Sequence, residues 1–255
     1  MSNKYNTTDL NPITTFERHV FHRDQFAHYL RWTHILKEAQ INDRVCDFGC
    51  GQGNLLEVLY RNRFKCQLYV GLDIRKQTIE KAKEKYKAVE WAKFFCCDLI
   101  TVNYDFTQIK ADKVCSFEVL EHVGKQNVPT FLQRFKDCGK ADAMYYLSTP
   151  NFDPIVQAAG NHTYDSGDGR GVAVHEWDHF ELQAELLKAG FKIVKKFGTF
   201  ASQKDYVKLL SPAQLEVFNQ LKEYYDANLM ANIFAPMFPE QSRNTMWVMQ
   251  RADII

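Results

Sequence analysis

Two groups of residues in this 255-residue chain have types and spacings suited to chemistry. The first is Asp47-Phe48-Gly49-Cys50-Gly51-Gln52-Gly53, where a short apolar run meets three glycines at alternate positions before Leu55, Leu56 and Leu59 begin a helical pattern. Strand, tight turn and helix in that order aim the helix's first N–H groups at whatever lies in the turn. Glycine is needed there because the turn leaves ordinary backbone space and a ligand must approach the main chain with no Cβ in its way. Asp73 follows at the end of a second apolar run, Leu68 to Leu72. A carboxylate at the tip of the second strand of a doubly wound sheet suits the two hydroxyls of a ribose. The second group is Glu118, Glu121 and His122, whose spacings of three and four predict one helical side. Two carboxylates and an imidazole could hold a divalent cation, which would lower the pKa of a bound hydroxyl and fix its direction. His175, in His175-Glu176-Trp177, is available as a fourth ligand.

The glycine spacing chooses between cofactors. A dinucleotide fingerprint has two residues before its last glycine, G-x-G-x-x-G, whereas here the spacing is G-x-G-x-G and position 54 is Asn. The pattern Asp47-x-Gly-x-Gly-x-Gly with Asp73 resembles the cofactor motif of class I S-adenosylmethionine-dependent methyltransferases. Two further stretches extend the resemblance in the right order: Phe94-Phe95-Cys96-Cys97-Asp98-Leu99, and Phe117-Glu118-Val119-Leu120-Glu121-His122-Val123. The second is similar to the E-V-L-E-H-V segment of one large branch, which includes ubiquinone-pathway O-methyltransferases and small-RNA terminal 2′-O-methyltransferases. Ser148-Thr149-Pro150-Asn151 is shared as well.

The resemblance implies a Rossmann-like α/β fold: a seven-stranded sheet, mostly parallel with an antiparallel edge strand, and helices on both faces. It implies S-adenosylmethionine as cofactor, held by Asp47, Gly49, Gly51, Gly53, Asp73, Ile74, Asp98, Leu99 and Glu118. In those metal-assisted groups, residues matching Glu118, Glu121, His122 and His175 form a metal site, with Mg²⁺ or another divalent cation. Two chemistries stay open: metal-assisted O-methylation, and metal-free transfer with His122 or His175 as general base and Glu118 lining the pocket. The acceptor expected is a small molecule or a nucleotide hydroxyl. A nucleotide in RNA or DNA and an inactive methyltransferase-like binding subunit are the alternatives, the intact cofactor constellation arguing against the latter.

The elements that must position these residues follow from periodicity and composition. With 45% hydrophobic residues the chain can bury one sizeable core and is read as a single domain, 1–255. Its parts are a tail and capping helix (1–40), a cofactor-binding core (41–200), an insertion over the acceptor pocket (201–242), and the last strand and tail (243–255). The formal net charge of +1 gives no large electrostatic footprint for nucleic acid. The lysines around the helix after the second strand alternate with Glu80, Glu84 and Glu90, as on a solvated helix face. Seven cysteines without a C-x-x-C pair predict reduced core residues, and no signal peptide or long apolar run is evident. The expectation is therefore a cytoplasmic protein with no membrane partner. From Phe16 to Ala39 the pattern is helical, and its histidines read as a mixed polar face with a lid role for Phe26 to Trp32. The long loop Phe152 to Asp178 is expected to wall the acceptor pocket, with Thr163 to Gly171 a mobile stretch of it. The insertion should share that role through one helix carrying Phe218, Leu221, Tyr225 and Leu229. Trp177, Phe152, Phe234 and Phe238 are candidates to stack on a flat acceptor, and His162 and His179 read as surface residues.

Overall fold

The structure, a computed structural model, describes residues 23–152 and 175–253. The apolar runs become seven strands of one sheet: β1 (Arg44–Phe48), β2 (Leu68–Asp73), β3 (Ala92–Cys96), β4 (Ala111–Phe117), β5 (Gly139–Pro150), β6 (Phe191–Ala201) and β7 (Ser242–Arg251). Their order is β3-β2-β1-β4-β5-β7-β6. The first five pair in parallel, and β7 runs antiparallel between β5 and β6, so the expected antiparallel pair forms one border of the sheet. Strand order reverses between β1 and β4, and in open parallel sheets the carboxyl ends of the strands at such a point are where ligands bind.

Parallel strands covered on both faces read as nearly continuous apolar runs, and side-chain alternation sorts them into two cores. Val45, Tyr69, Cys115 and Tyr146 pack with Trp32 and Ile35 of α1 (Arg23–Glu38), Leu55 and Leu59 of α2 (Asn54–Arg61), and Ile79 of α3 (Lys76–Lys85). Phe48, Val70, Val114, Tyr145 and Leu147 pack on the other face with Phe131 and Phe135 of α4 (Val128–Asp137) and Leu182 of α5 (His179–Lys188). Phe48 lies 5.7 and 5.5 Å from the Phe131 and Phe135 rings, and each such buried ring contributes roughly 1.5–3 kcal/mol. All seven cysteines are free, five of them buried, with Cys96 exposed. Among the described residues no helix is long and apolar enough to cross a membrane.

The insertion differs from expectation. Three short helices stand there, α6 (Gln203–Tyr206), α7 (Pro212–Leu221) and α8 (Ala227–Ile233), because the Asp226 carboxylate accepts the Leu229 N–H at 2.8 Å and starts a new helix. Phe234 and Phe238 stack on Tyr206 at 5.8 and 5.6 Å, forming a satellite core with Phe218 and Met230. Phe234, expected as an acceptor platform, is buried structure instead. The N-terminal helix and the insertion meet, since α1 packs on α8 and on β6. His162 and the stretch Thr163 to Gly171 lie outside the described residues.

Candidate active site

The glycine turn is tied to the end of β2. Gly49 and Cys50 N–H donate to the Leu72 carbonyl at 2.7 and 3.0 Å, Gly51 N–H donates to Asp73 Oδ2 at 3.0 Å, and Arg75 N–H donates to Asp73 Oδ1 at 2.8 Å. A Cβ on Gly49 would lie 2.2 Å from Val119 Cγ2, so this turn abuts the segment after β4. Gly53 caps α2 at φ 82° without a side-chain hydrogen bond, which leaves the first N–H groups of α2 for a ligand.

Asp47 is 3% exposed, and Tyr69 Oη donates to its Oδ2 at 2.6 Å. Burial pushes its carboxyl up to about 7, against the Tyr69 hydrogen bond and with the help of the Asp73 charge. Asp98 accepts the Ile100 N–H at 2.8 Å and the Thr101 hydroxyl at 3.0 Å. Leu99 is buried and Ile74 half-buried.

After β4 the backbone departs from the predicted helical side. Glu118 stands at φ +57°, a left-handed conformation that costs a non-glycine residue roughly 1–2 kcal/mol, and only Leu120–His122 forms a helical turn, of the 3₁₀ type. Glu118 accepts from Arg31 Nη1 at 3.0 Å, Ser148 Oγ at 2.9 Å and Asn244 Nδ2 at 2.7 Å. Glu121 accepts instead from Thr149 Oγ1 at 3.0 Å. Ser148 and Thr149 are successive residues of β5, so their hydroxyls point to opposite faces of the sheet. The two carboxylates are held apart by that alternation.

Glu121 is 3% exposed. Its burial, and then the nearby Glu118 charge, hold its carboxyl well above the usual carboxylate range. His122 Nε2 lies 3.8 Å from Glu121 Oε1, and the His175 N–H donates to the Glu121 carbonyl at 2.9 Å. The His175 ring meets Trp177 edge-on at 4.5 Å. Its Nε2 has no hydrogen-bond partner among the described residues. Burial, reinforced by Lys125, lowers its pKa below the usual imidazole value.

Glu121 and His122 are thus neighbours and the His175 backbone is joined to that of Glu121, while Glu118 is turned to Arg31. Among the described residues no three His, Cys, Asp or Glu side chains are gathered so as to hold a metal ion. As they stand, the four residues do not fit a divalent cation, because the Glu118 carboxylate is already committed to three donors. Trp177 is 1% exposed and belongs to the main core, not to an acceptor platform; Phe152 is exposed. His179 is buried rather than superficial: it packs on the Trp247 ring at 4.7 Å, with Lys196 Nζ 3.0 Å from its Nε2. Sequence reasoning missed Arg31, Tyr69 and Asn244. Arg31 and Asn244 stand 87 and 126 residues from Glu118, and no local signal announces such pairs.

The strand order, the glycine turn and the carboxylates at the ends of β1 and β2 define a class I S-adenosylmethionine-dependent methyltransferase. The methyltransferase-domain family matches residues 21–196, well over half of the chain, and the protein belongs to it. Among solved structures the chain is similar to an S-adenosylmethionine-dependent methyltransferase from Clostridium acetobutylicum, at 11% identity over 94% of this chain and 98% of that one, TM-score 0.59. It is also similar to the methyltransferase domain of bacterial CtHen1-C, at 17% identity over 90% and 99%, TM-score 0.56. A third is the magnesium protoporphyrin IX methyltransferase of Synechocystis with bound S-adenosylhomocysteine, at 15% identity over 90% and 83%, TM-score 0.54. No curated protein sequence matches the chain.

Proposed function

We propose that the protein transfers the methyl group of S-adenosylmethionine to a hydroxyl of a small molecule or nucleotide, with His122 or His175 as the base. What supports this reading is that His122 Nε2 lies 3.8 Å from Glu121 Oε1 and that the His175 backbone N–H, donating to the Glu121 backbone carbonyl at 2.9 Å, ties the segment before α5 to this turn. The cofactor would lie along the glycine turn, its ribose hydroxyls on Asp73 and its adenine by Asp98 and Leu99.

Methyl transfer is an in-line displacement. The acceptor oxygen bonds to the methyl carbon, the carbon–sulfur bond breaks, and its electron pair stays on sulfur, which loses its positive charge. The protein therefore mainly positions the acceptor and takes its proton. An imidazole whose pKa is lowered, as at His175, is neutral at pH 7 and able to accept that proton. Glu121 is held toward its protonated form and orients the site through its backbone carbonyl and Thr149. No step is routed through a metal, since the Glu118 carboxylate is occupied.

The test is methyl transfer from labelled S-adenosylmethionine to a panel of hydroxyl acceptors, using wild type, His122→Ala and His175→Ala. Loss of turnover in one variant with S-adenosylhomocysteine binding intact supports the assignment; full turnover in both removes the base. A salt series separates acceptors, because a nucleic-acid substrate would make turnover fall steeply with ionic strength.

A further inference from the structure

We propose that the first half of β6, Phe191 to Lys196, is a docking edge for an extended acidic segment of a partner protein, which adds to the sheet as a further strand beside β6.

The backbone supplies the first reason. β6 stands last in the strand order, so one side of it pairs with β7 and the other has no strand beside it among the described residues. Its two halves differ. From Phe197 to Ala201 every residue is buried, whereas Lys192, Val194 and Lys195 are exposed. An exposed sheet edge is a row of unpaired N–H and C=O groups, the template on which an extended segment adds as a strand.

Apolar surface is the second. A groove of about 590 Å³ runs along this half of the strand, lined by Leu187 of α5 and by Phe191, Ile193 and Val194. Leu187 is 51% exposed and Val194 50%. A strand that joins an edge offers its side chains alternately to the two faces, so this groove takes apolar residues at alternate positions. An edge merely guarded against pairing would carry charge in these places, not Leu and Val.

Charge decides which segment fits. Acids beside the groove are already matched: Glu185 with Lys188 at 3.7 Å, Glu240 with Lys196 at 3.2 Å and Asp253 with Arg251 at 2.6 Å. Lys192 and Lys195 have no salt bridge among the described residues. A bulge between Ile193 and Lys195 leaves Val194 without a partner in β7 and sets Lys192 and Lys195 opposite Gln250 and Val248. Those two β7 residues share a face of the sheet, so the bulge brings both lysines to one face of the edge. A second copy of this chain, added across a two-fold axis, would set these lysines against their own counterparts, which is destabilising. An acidic strand meets them with opposite charge, and that match selects both partner and register.

The test uses the full chain and two labelled peptides of about six residues, the length of an ordinary strand. Glu and Val alternate in one, Lys and Val in the other, and binding is read by fluorescence polarisation. The acidic peptide should bind, more weakly as salt is raised, and should slow hydrogen exchange at the amides of Phe191 to Lys196. The double substitution Lys192→Glu and Lys195→Glu should weaken the acidic peptide roughly 10-fold or more and make the basic peptide the tighter ligand. Lys192→Gln with Lys195→Gln serves if that variant does not fold, and should weaken the acidic peptide without creating affinity for the basic one. Binding of neither peptide, equal binding of both, or binding that leaves the β6 amides exchanging freely would overturn the proposal. Dimers seen by sedimentation that protect the same amides would also overturn it, by making a second copy the occupant.

Discussion

The crevice has two sides, and they are finished to different degrees. On the side of α1, α2 and α3, Asp47, Asp73 and Asp98 each already hold hydrogen-bond donors from the protein, and the turn is fastened to Leu72. On the side of α4 and α5, the His175 backbone is tied to Glu121 and its ring stands edge-on to Trp177, with Glu181 Oε2 3.9 Å from an Nε2 that has no hydrogen-bond partner among the described residues. A site that must recognise one ligand gains from donors and acceptors set in advance. A site that must move a proton gains from an imidazole kept neutral and uncommitted. On the proposed assignment, binding and proton transfer fall to opposite faces of one sheet, divided by the alternation of Ser148 and Thr149.

The division predicts separable defects, and the largest should be in turnover. Replacing the base, His122 or His175, by Ala should lower kcat roughly 10²- to 10⁴-fold and leave S-adenosylhomocysteine affinity unchanged. A variant that lost affinity instead would join the two sides. If His175 is the base, its lowered pKa keeps it unprotonated below the ordinary imidazole value of about 6.5. The acid limb of the kcat profile should then reach half its height below that pH; a limb above it would eliminate His175.

Next in size is Gly51→Val. The glycine has φ +55° and its N–H reaches Asp73, so a β-branched residue should weaken S-adenosylhomocysteine binding roughly 100-fold by displacing that bond and the turn. Circular dichroism should show the fold retained, and calorimetry should show the loss.

An effect on stability rather than binding belongs to Asp47. Its folded pKa of about 7 lies above the unfolded value of about 3.9. Its protonated form is therefore favoured by folding. That contribution is complete below the unfolded value and is lost as pH rises through about 7. Asp47→Asn should remove a pH-dependent loss on the order of 4 kcal/mol, seen as the difference between the two proteins' unfolding free energies across pH 4 to 8. Parallel curves for the two proteins would show that Asp47 ionises freely in the folded state.

The smallest change is Thr149→Val, which removes the one side-chain donor that Glu121 has among the described residues. It should cost about 1 kcal/mol, a melting shift of roughly 2–4 °C for a chain of this size, with cofactor binding unchanged. A shift in cofactor affinity would mean that Thr149 does not divide the two faces.

The cofactor side was the more legible because its parts are local. Glycines at alternate positions after a strand, and an acid at the tip of the next one, carry their meaning in their spacing, and the structure puts Gly49, Gly51 and Gly53 in one turn that is hydrogen-bonded to Asp73 at the end of β2. Glu118, Glu121 and His122 misled on geometry: spacings of three and four describe a helix, but the chain leaves β4 through a left-handed residue and a 3₁₀ turn. The insertion misled in a similar way, since apolar periodicity continues from Phe218 to Leu229 while Asp226 restarts the helix. His179 and Trp177 carried no sign of burial, because it depends on distant partners: His179 packs on Trp247 of β7 and Trp177 joins the main core.

The sequence by itself determined the class of fold, the order of its strands and the place of the glycine turn, because backbone conformation and apolar periodicity act over a few residues. Only the tertiary structure decided that Arg31 faces Glu118, that Asn244 shares that carboxylate, and that His175 comes to Glu121. Those contacts join residues 87, 126 and 54 positions apart, and their energy depends on which chain segments the packed sheet brings to the same side of the crevice.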